Sequence, residues 1–127
     1  MRHLGQVDYI ATLKRMQAFT AARTTNTLDE IWLLEHPPVY TLGTNGDRSH
    51  LLDAGEIPVV QVDRGGHVTY HGPGQIVVYT LLDITRARIG VRALVCKLEQ
   101  AVVRTVAAYG IDAAGSRDAP GVYVAGS

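Results

Sequence analysis

The sequence has little cysteine, few aromatic residues and no net charge. Its 127 residues include a single cysteine, Cys96, so no disulfide can form within the chain, which favours a reducing, cytoplasmic location. Twelve basic side chains balance twelve acidic ones, which argues against a nucleic-acid-binding or membrane-binding surface. No apolar run approaches the roughly 18 residues of a membrane helix, and the first residues lack the apolar stretch of a signal peptide.

The composition and the residue patterns of the sequence predict a globular chain of helices and short strands. Apolar residues make up 46% of it and charged residues 19%. Apolar residues spaced three to four apart predict a helix over about 8–23, with Lys14 and Arg15 on its solvent-facing side. The same spacing predicts a second helix over 91–109, with Gly110 as its C-cap. Apolar and β-branched runs predict strands over 31–34, 39–42, 58–62, 76–82 and 121–124, with a loop over 45–56.

Strands that follow one another along the chain, with only two helices, favour an α+β fold over an alternating parallel one. We expect a mainly antiparallel sheet with flanking helices. The nearly continuous apolarity of 76–82 predicts a central strand. We expect one domain over 1–127 that is truncated at its C-terminus, because the last strand meets the chain end and would lack a partner.

Residues 64–75 are the most informative segment, with four glycines, two histidines, one proline and one arginine. Such glycine density predicts a backbone that turns tightly or approaches something closely. A phosphate loop is excluded because no Gly-Lys-Ser/Thr follows, and a dinucleotide fingerprint because Gly72 and Gly74 lead into a strand. His67 and His71 are four apart, but their extended surroundings and the lack of a completing ligand argue against a metal site.

Several residues of this segment allow both a functional and a structural interpretation. Arg64 either fixes an anionic group or forms a surface salt bridge, and its position beside two glycines favours the first. Gly65 and Gly66 either line a channel where a Cβ would clash with substrate or form a β-bulge, and the two are compatible. His71 either orients or deprotonates a reacting group, or ties the following turn by hydrogen bonds.

Cys96 invites interpretation as an activated nucleophile because Lys97 follows it. A catalytic thiol is usually exposed in an electropositive site, often at a helix N-terminus. Cys96 falls inside a predicted helix beside apolar positions, and adjacent helical residues point about 100° apart. The sequence therefore predicts that Cys96 is a packing residue.

Three segments together resemble one enzyme family. Residues 64–75 closely resemble the signature of the lipoyl(octanoyl) transferases, the ATP-independent lipoate-protein ligase B family. Residues 35–43, EHPPVYTLG, are similar to its upstream motif, and residues 119–124, APGVYV, to its downstream one. The motifs agree in order and spacing, and the similarity runs from the first predicted helix to the last residue.

The resemblance implies the α+β catalytic fold of biotin and lipoate ligases, with no metal or other cofactor. It implies octanoyl transfer from octanoyl-acyl carrier protein to a lysine of lipoyl domains in 2-oxoacid dehydrogenases and the glycine cleavage H protein. In the family a cysteine forms an acyl-enzyme, and a nearby lysine lowers the pKa of that cysteine. The family's substrate-binding stretch corresponds to Arg64, Gly65, Gly66, His67, Val68, Thr69, Tyr70 and His71.

The sequence departs from the family at its end. The family's lysine lies a few residues beyond the strand at 121–124 and its cysteine lies further on, so neither catalytic residue is present, and Cys96 does not occupy that place. We therefore expect the N-terminal part of an octanoyltransferase, inactive in acyl transfer on its own, with His71 left as an auxiliary candidate.

Two alternatives stay open. The first is an ATP-dependent lipoate or biotin ligase, which needs an adenylate-pocket lysine, whereas Lys14 and Lys97 both lie on predicted helices. The second is a catalytically inactive acyl-binding fragment, or a chain that a second polypeptide completes.

Overall fold

The computed structural model describes residues 1–46 and 55–125, which divide into two compact units, 1–82 and 83–127. The first unit contains β1 (Arg2–Gln6), α1 (Tyr9–Ala22), β2 (Glu30–Glu35), β3 (Val39–Leu42), β4 (Val59–Gln61), β5 (Val68–His71) and β6 (Val77–Leu81). The second contains α2 (Ile84–Ala87), α3 (Val91–Ala107), β7 (Ala113–Gly115) and β8 (Val122–Val124). Helices and small sheets confirm the predicted α+β class, and three of the five strand pairings are antiparallel.

Helix α1 begins where the sequence supplies a cap. The Asp8 side chain accepts a hydrogen bond from the Ala11 amide at 3.0 Å, which satisfies one of the free N–H groups of the first turn. Lys14 and Arg15 are exposed, as predicted. The guanidinium of Arg15 lies 5.1 Å from the Trp32 ring centre. This side chain of α1 therefore also covers the ring of Trp32 on β2.

The first sheet has the order β1-β2-β6, with β2 in the centre. Strand β1 runs parallel to β2 and β6 runs antiparallel to it. Trp32 and Leu34, on alternate positions of β2, are each only 3% exposed, because successive inward positions of a strand share one face. The buried strand that the apolar run 31–34 predicts is therefore confirmed as part of β2.

The second sheet has the order β4-β3-β5 and carries the glycine-rich segment. Strand β3 is central, pairing parallel with β4 and antiparallel with β5. Its Val39, Thr41 and Leu42 are all buried. Residues 62–67 connect β4 to β5, so the Arg64–Gly66 stretch lies beside the C-terminal end of β3.

The second unit joins α3 to the β7–β8 hairpin. The Glu99 carboxylate of α3 accepts a hydrogen bond from the Gly121 amide at 2.8 Å, which ties the helix to the chain just before β8. No side chain of α3 is fully buried. No helix in residues 1–46 or 55–125 is both long enough and apolar enough to cross a bilayer.

Several predictions of local structure are wrong. Strand β6 is at an edge of its sheet rather than central, and its Val78 is 50% exposed. The last strand is not left unpaired, because β8 pairs antiparallel with β7. The C-cap of α3 is Ala108, and Gly110 follows two residues later with φ +80°.

Four elements carry no strong signal in the sequence: β1, β5, β7 and the single turn α2. Strand β1 has mostly exposed side chains, so its pairing depends on backbone hydrogen bonds rather than on apolar alternation. Part of the predicted loop over 45–56 lies outside the described residues. The single-domain assignment stays a prediction.

The core of the first unit depends on Leu42, which is 2% exposed. We expect Leu42→Ala to lower the free energy of unfolding by about 2–5 kcal/mol, because it removes buried apolar volume and leaves a cavity. Urea unfolding followed by circular dichroism measures the change. Leu28, which is 81% exposed, provides the matched control: Leu28→Ala should change stability by no more than about 0.5 kcal/mol.

Candidate functional site

The Arg64 side chain organises the corner formed by Arg64, Gly65 and Gly66. Its guanidinium donates to the Gly65 carbonyl at 2.9 Å and to the His67 carbonyl at 3.1 Å. It also reaches the buried Thr41 on β3, at 3.0 Å to the carbonyl and 2.8 Å to the hydroxyl. These hydrogen bonds hold the corner against the end of β3.

Gly43 lets the corner approach β3 closely. A Cβ at Gly43 would collide with the Gly66 carbonyl oxygen, and would lie 2.8 Å from Nη1 of Arg64 and 2.9 Å from the Gly65 carbonyl oxygen. Backbone hydrogen bonds close the same contact, including Gly43 N–H to the His67 carbonyl at 2.9 Å. Gly66 has φ +94°, a conformation that favours glycine.

Gly65 differs from Gly43 and Gly66. Its φ is not in the left-handed region, and a Cβ built on it meets nothing within 4 Å in residues 1–46 and 55–125. The described fold therefore imposes no steric need for glycine at this position. The backbone of Gly65 is open to a ligand that approaches the corner.

Strand β5 carries the rest of the predicted binding stretch. Tyr70 is 45% exposed, and its ring lies 5.3 Å from that of Tyr40 across the β3–β5 pair. Thr69 is exposed and Val68 half-buried, whereas His67, just before the strand, is exposed and its Nδ1 lies 3.0 Å from the Asn45 carbonyl oxygen. The structure thus brings the segment 64–71 together along one strand and its preceding corner.

His71 belongs to a cluster of four ring side chains, which we call the imidazole–phenol cluster: Tyr9, His36, His71 and Tyr79. The His71 ring stacks on Tyr9 at 6.2 Å between centroids and meets the edge of His36 at 6.1 Å. The four rings come from α1, the loop after β2, β5 and β6, so these segments meet at the cluster. Only His71 of this cluster is predicted from the sequence as a site residue.

His36 is the buried centre of the imidazole–phenol cluster, with 0% exposure. Its Nδ1 lies 2.7 Å from the Val7 carbonyl oxygen, which can only accept, so Nδ1 carries a proton. In the neutral ring Nε2 then accepts from the Tyr79 hydroxyl at 2.8 Å. The sequence places His36 in the upstream motif but predicts no role for it, and its only signal is a position directly after an apolar strand.

Both phenols of the cluster hold their protons strongly. Burial raises the pKa of Tyr79 well above its usual value of 10.0. Burial also raises the pKa of Tyr9, an effect that the positive charge of Arg64 partly opposes. At neutral pH the cluster therefore contains two hydroxyl donors and no phenolate.

The predicted packing role of Cys96 is wrong: the thiol is exposed. Because α3 buries none of its side chains completely, apolar neighbours in sequence do not enclose the sulfur. Cys96 instead lines an open cavity of about 620 Å³ in the second unit, together with Arg92 and Glu99. In residues 1–46 and 55–125, no three His, Cys, Asp or Glu side chains form a group able to hold a metal ion.

Comparison with known proteins identifies close relatives of the sequence. The lipoyl protein ligase A/B catalytic domain family matches residues 8–127. An octanoyltransferase of Methylococcus capsulatus is 58% identical over 127 residues, which are 100% of this chain and 61% of that protein. One from Marinobacter nauticus is also 58% identical, over 100% of this chain and 60% of that protein. The chain thus spans about 60% of the length of these curated relatives.

Solved structures share the fold at low sequence identity. A candidate lipoate protein ligase from T. acidophilum with bound lipoic acid superposes with a TM-score of 0.69 at 17% identity, over 97% of this chain and 54% of that one. Lipoate-protein ligase A bound with ATP superposes with a TM-score of 0.65 at 16% identity, over 97% of this chain and 53% of that one. At these identities the likeness concerns the fold alone.

The two glycines of the corner contact should respond differently to substitution. We expect Gly43→Ala to destabilise the chain by about 1–3 kcal/mol, because its Cβ meets backbone carbonyls that cannot move independently. Gly65→Ala should be neutral or stabilising by about 0.4–1 kcal/mol, since its Cβ enters open space. Chemical denaturation of both variants in parallel tests this, and equal stabilities would contradict the close-packed corner.

Replacement of Tyr79 tests the buried hydrogen bond to His36. Tyr79→Phe should cost about 1–3 kcal/mol at neutral pH, because Nε2 of His36 loses its donor. The pKa of Tyr79 is higher in the folded chain than in the unfolded chain, where the phenol ionises near pH 10.0. The contribution of the Tyr79 hydroxyl to stability is therefore fully present below pH 10.0 and is lost as pH rises further. The stability gap between wild type and variant should therefore narrow above about pH 10 in denaturation curves taken across pH.

Proposed function

The chain belongs to the lipoyl protein ligase A/B catalytic domain family, and from that premise we propose that it is part of an octanoyltransferase. The proposed reaction moves an octanoyl group from octanoyl-acyl carrier protein to a lysine of lipoyl domains in lipoate biosynthesis. Support comes from relatives named octanoyltransferase at 55–58% identity over at least 98% of the chain. The matched interval 8–127 also supports one catalytic domain that includes both units.

The open backbone at Gly65 is the observation that carries the proposal. Gly43 and Gly66 have structural reasons to be glycine, but Gly65 has none in the part of the chain that the structure describes. A flat, uncharged acyl thioester is a ligand for which a missing Cβ provides room. Arg64 holds this surface rigid through its own backbone contacts, so its role in the proposal is to shape the cradle.

In the proposed chemistry, a cysteine thiolate attacks the carrier-bound thioester. The bond between the carbonyl carbon and the carrier sulfur breaks, the carrier leaves as a thiolate that takes a proton from solvent, and an octanoyl-cysteine thioester forms. The amine of the acceptor lysine then attacks that thioester, giving an amide and returning the cysteine thiol. We propose that residues 64–71 bind the acyl thioester and that His71 is an auxiliary hydrogen-bonding residue. The cysteine and lysine of the family mechanism correspond to no residue of this chain.

The proposed partners are octanoyl-acyl carrier protein and the lipoyl domains of 2-oxoacid dehydrogenases and of the glycine cleavage H protein. We propose that no metal or other cofactor takes part. A cytoplasmic location is part of the same proposal, and the single cysteine supports it. In the proposed reaction a carrier protein delivers the acyl group, so we propose that this donor docks beside the corner.

Binding at the corner is tested by titrating octanoyl-acyl carrier protein into the isotope-labelled chain. We expect amide signals of Arg64, Gly65 and Gly66 to shift, and Gly65→Ala to weaken binding at least about tenfold, because a Cβ would occupy the acyl surface. Gly90→Ala is the matched control, since its Cβ also meets nothing within 4 Å in the described residues. Unchanged binding by Gly65→Ala would remove the cradle from the proposal.

The same material separates the rival functions. ATP-dependent loading of free octanoate or lipoate would indicate a ligase instead. Binding without transfer, when a second polypeptide that carries the family's cysteine and lysine is added, would indicate an inactive acyl-binding chain. Each outcome is read by intact mass spectrometry of the acceptor lipoyl domain, whose mass rises by one octanoyl group only if transfer occurs.

Cys96 needs its own test, because its exposure removes the packing argument against a nucleophile. We expect no octanoyl adduct on Cys96 after incubation with octanoyl-acyl carrier protein, since the residue lies within α3 rather than at its N-terminus. Intact mass analysis of wild type and of Cys96→Ala measures this. A wild-type mass gain of one octanoyl group that Cys96→Ala abolishes would make Cys96 the acyl carrier.

A further inference from the structure

Gln75 makes contacts that set the proton arrangement of the His71 ring. Its side-chain Oε1 lies 2.6 Å from Nδ1 of His71, and its Nε2 lies 3.3 Å from the Tyr70 carbonyl oxygen. One amide side chain thus spans from the backbone of β5 to the imidazole at the end of that strand.

The orientation of the Gln75 amide follows from its neighbours. The Tyr70 carbonyl has no hydrogen to donate, so the amide nitrogen must face it. The amide oxygen then faces His71, and an oxygen can only accept. The hydrogen bond at 2.6 Å therefore requires a proton on Nδ1 of His71. The opposite amide orientation would place two oxygens against each other.

A neutral imidazole with its proton on Nδ1 has a lone pair on Nε2. No hydrogen bond to Nε2 of His71 occurs in residues 1–46 and 55–125, and the ring is half-buried. The faces of the ring are already occupied by Tyr9, stacked, and by the edge of His36. These contacts restrict ring rotation, and of the two His71 ring nitrogens only Nε2 has no hydrogen-bond partner among the described residues.

From this geometry we infer that Gln75 is a positioning residue that holds His71 as the neutral Nδ1–H form, so that Nε2 accepts a hydrogen bond or a proton from the bound substrate. The proposal rests on the proposed function for the nature of that substrate. It adds Gln75, outside residues 64–71, to the residues on which the site depends, and it gives His71 a defined acceptor atom.

His36 shows that the fold uses the same device twice. Its Nδ1 also carries a proton, which it donates to a carbonyl oxygen, that of Val7, and its Nε2 accepts from the Tyr79 hydroxyl. The two imidazoles therefore have the same proton arrangement. The difference is that Nε2 of His36 already has a donor, whereas the donor for Nε2 of His71 is left for a ligand to supply.

The experiment is nitrogen NMR of the chain labelled with ¹⁵N-histidine, at about pH 8.5, two units above the usual histidine pKa. His71→Asn assigns the His71 signals by their loss. We expect wild type to show a protonated Nδ1 and an unprotonated Nε2 at His71. Because a histidine free in water prefers its proton on Nε2, this result would require a specific acceptor at Nδ1.

Three variants make the test specific: two substitutions of Gln75 and one control substitution elsewhere. Gln75→Leu should shift the Nδ1–H to Nε2–H ratio about 3- to 10-fold toward Nε2–H, as expected for loss of one neutral hydrogen bond. Gln75→Glu, which keeps an acceptor oxygen, should retain the Nδ1–H form. Gln17→Leu, the same change at an exposed position of α1, should leave the His71 signals unchanged.

Two results would overturn the inference: an Nε2–H form in wild type, or no change in the ratio with Gln75→Leu while circular dichroism shows a folded chain. If Gln75→Leu does not fold, Gln75→Ala is measured instead, and the wild-type spectrum alone still decides the first outcome. The NMR readout needs no substrate, so it succeeds or fails independently of octanoyl binding, which is titrated separately on the same variants.

Discussion

The hydrogen bonds of Arg64 to backbone carbonyls are the interaction on which the rest of the site depends. A guanidinium has five N–H donors in a fixed plane, so one side chain can hold several carbonyl groups in a defined arrangement. Here it joins the corner to Thr41 on the central strand β3. The corner can approach so closely only because Gly43 has no side chain. The hydrogen bonds of Arg64 and the missing side chain of Gly43 are therefore both needed for this contact.

A second set of constraints holds the other end of the segment. The amide of Gly74 donates to the Glu35 carboxylate at the end of β2, which links the turn after β5 to the first sheet. The imidazole–phenol cluster bridges the same region from α1, β5, β6 and the loop after β2. Strand β5 is thus anchored at both ends, and between them it pairs with β3.

Much of the fold follows from local signals in the sequence. Helices α1 and α3 and strands β2, β3, β4 and β8 are confirmed, because apolar spacing and β-branched runs report directly on burial. Strand β1 escapes prediction since it pairs through its backbone, with mostly exposed side chains. The edge position of β6 and the exposure of Cys96 depend on which surfaces other elements cover, and a single element's hydropathy does not contain that information.

The site divides in the same way. Resemblance to the family names residues 64–71, and the glycine density indicates a tight backbone at Gly65 and Gly66. The supporting residues could not be predicted, because they come from distant parts of the chain: Thr41, Gly43, His36 and Gln75 act through contacts that only folding creates. Arg64 illustrates the limit, since its guanidinium serves carbonyl groups rather than the anion or salt bridge that its sequence context suggests.

The empty space above Gly65 has a practical consequence for labelling the protein. Because a side chain placed there disturbs nothing in the described structure, Gly65→Cys in a Cys96→Ala background would accept a single thiol-reactive fluorophore. The dye would fill the corner and exclude an acyl ligand from it, so its emission would report the polarity of the corner in the ligand-free chain. A position that the architecture leaves unfilled thereby becomes an attachment point for an optical probe of its surroundings.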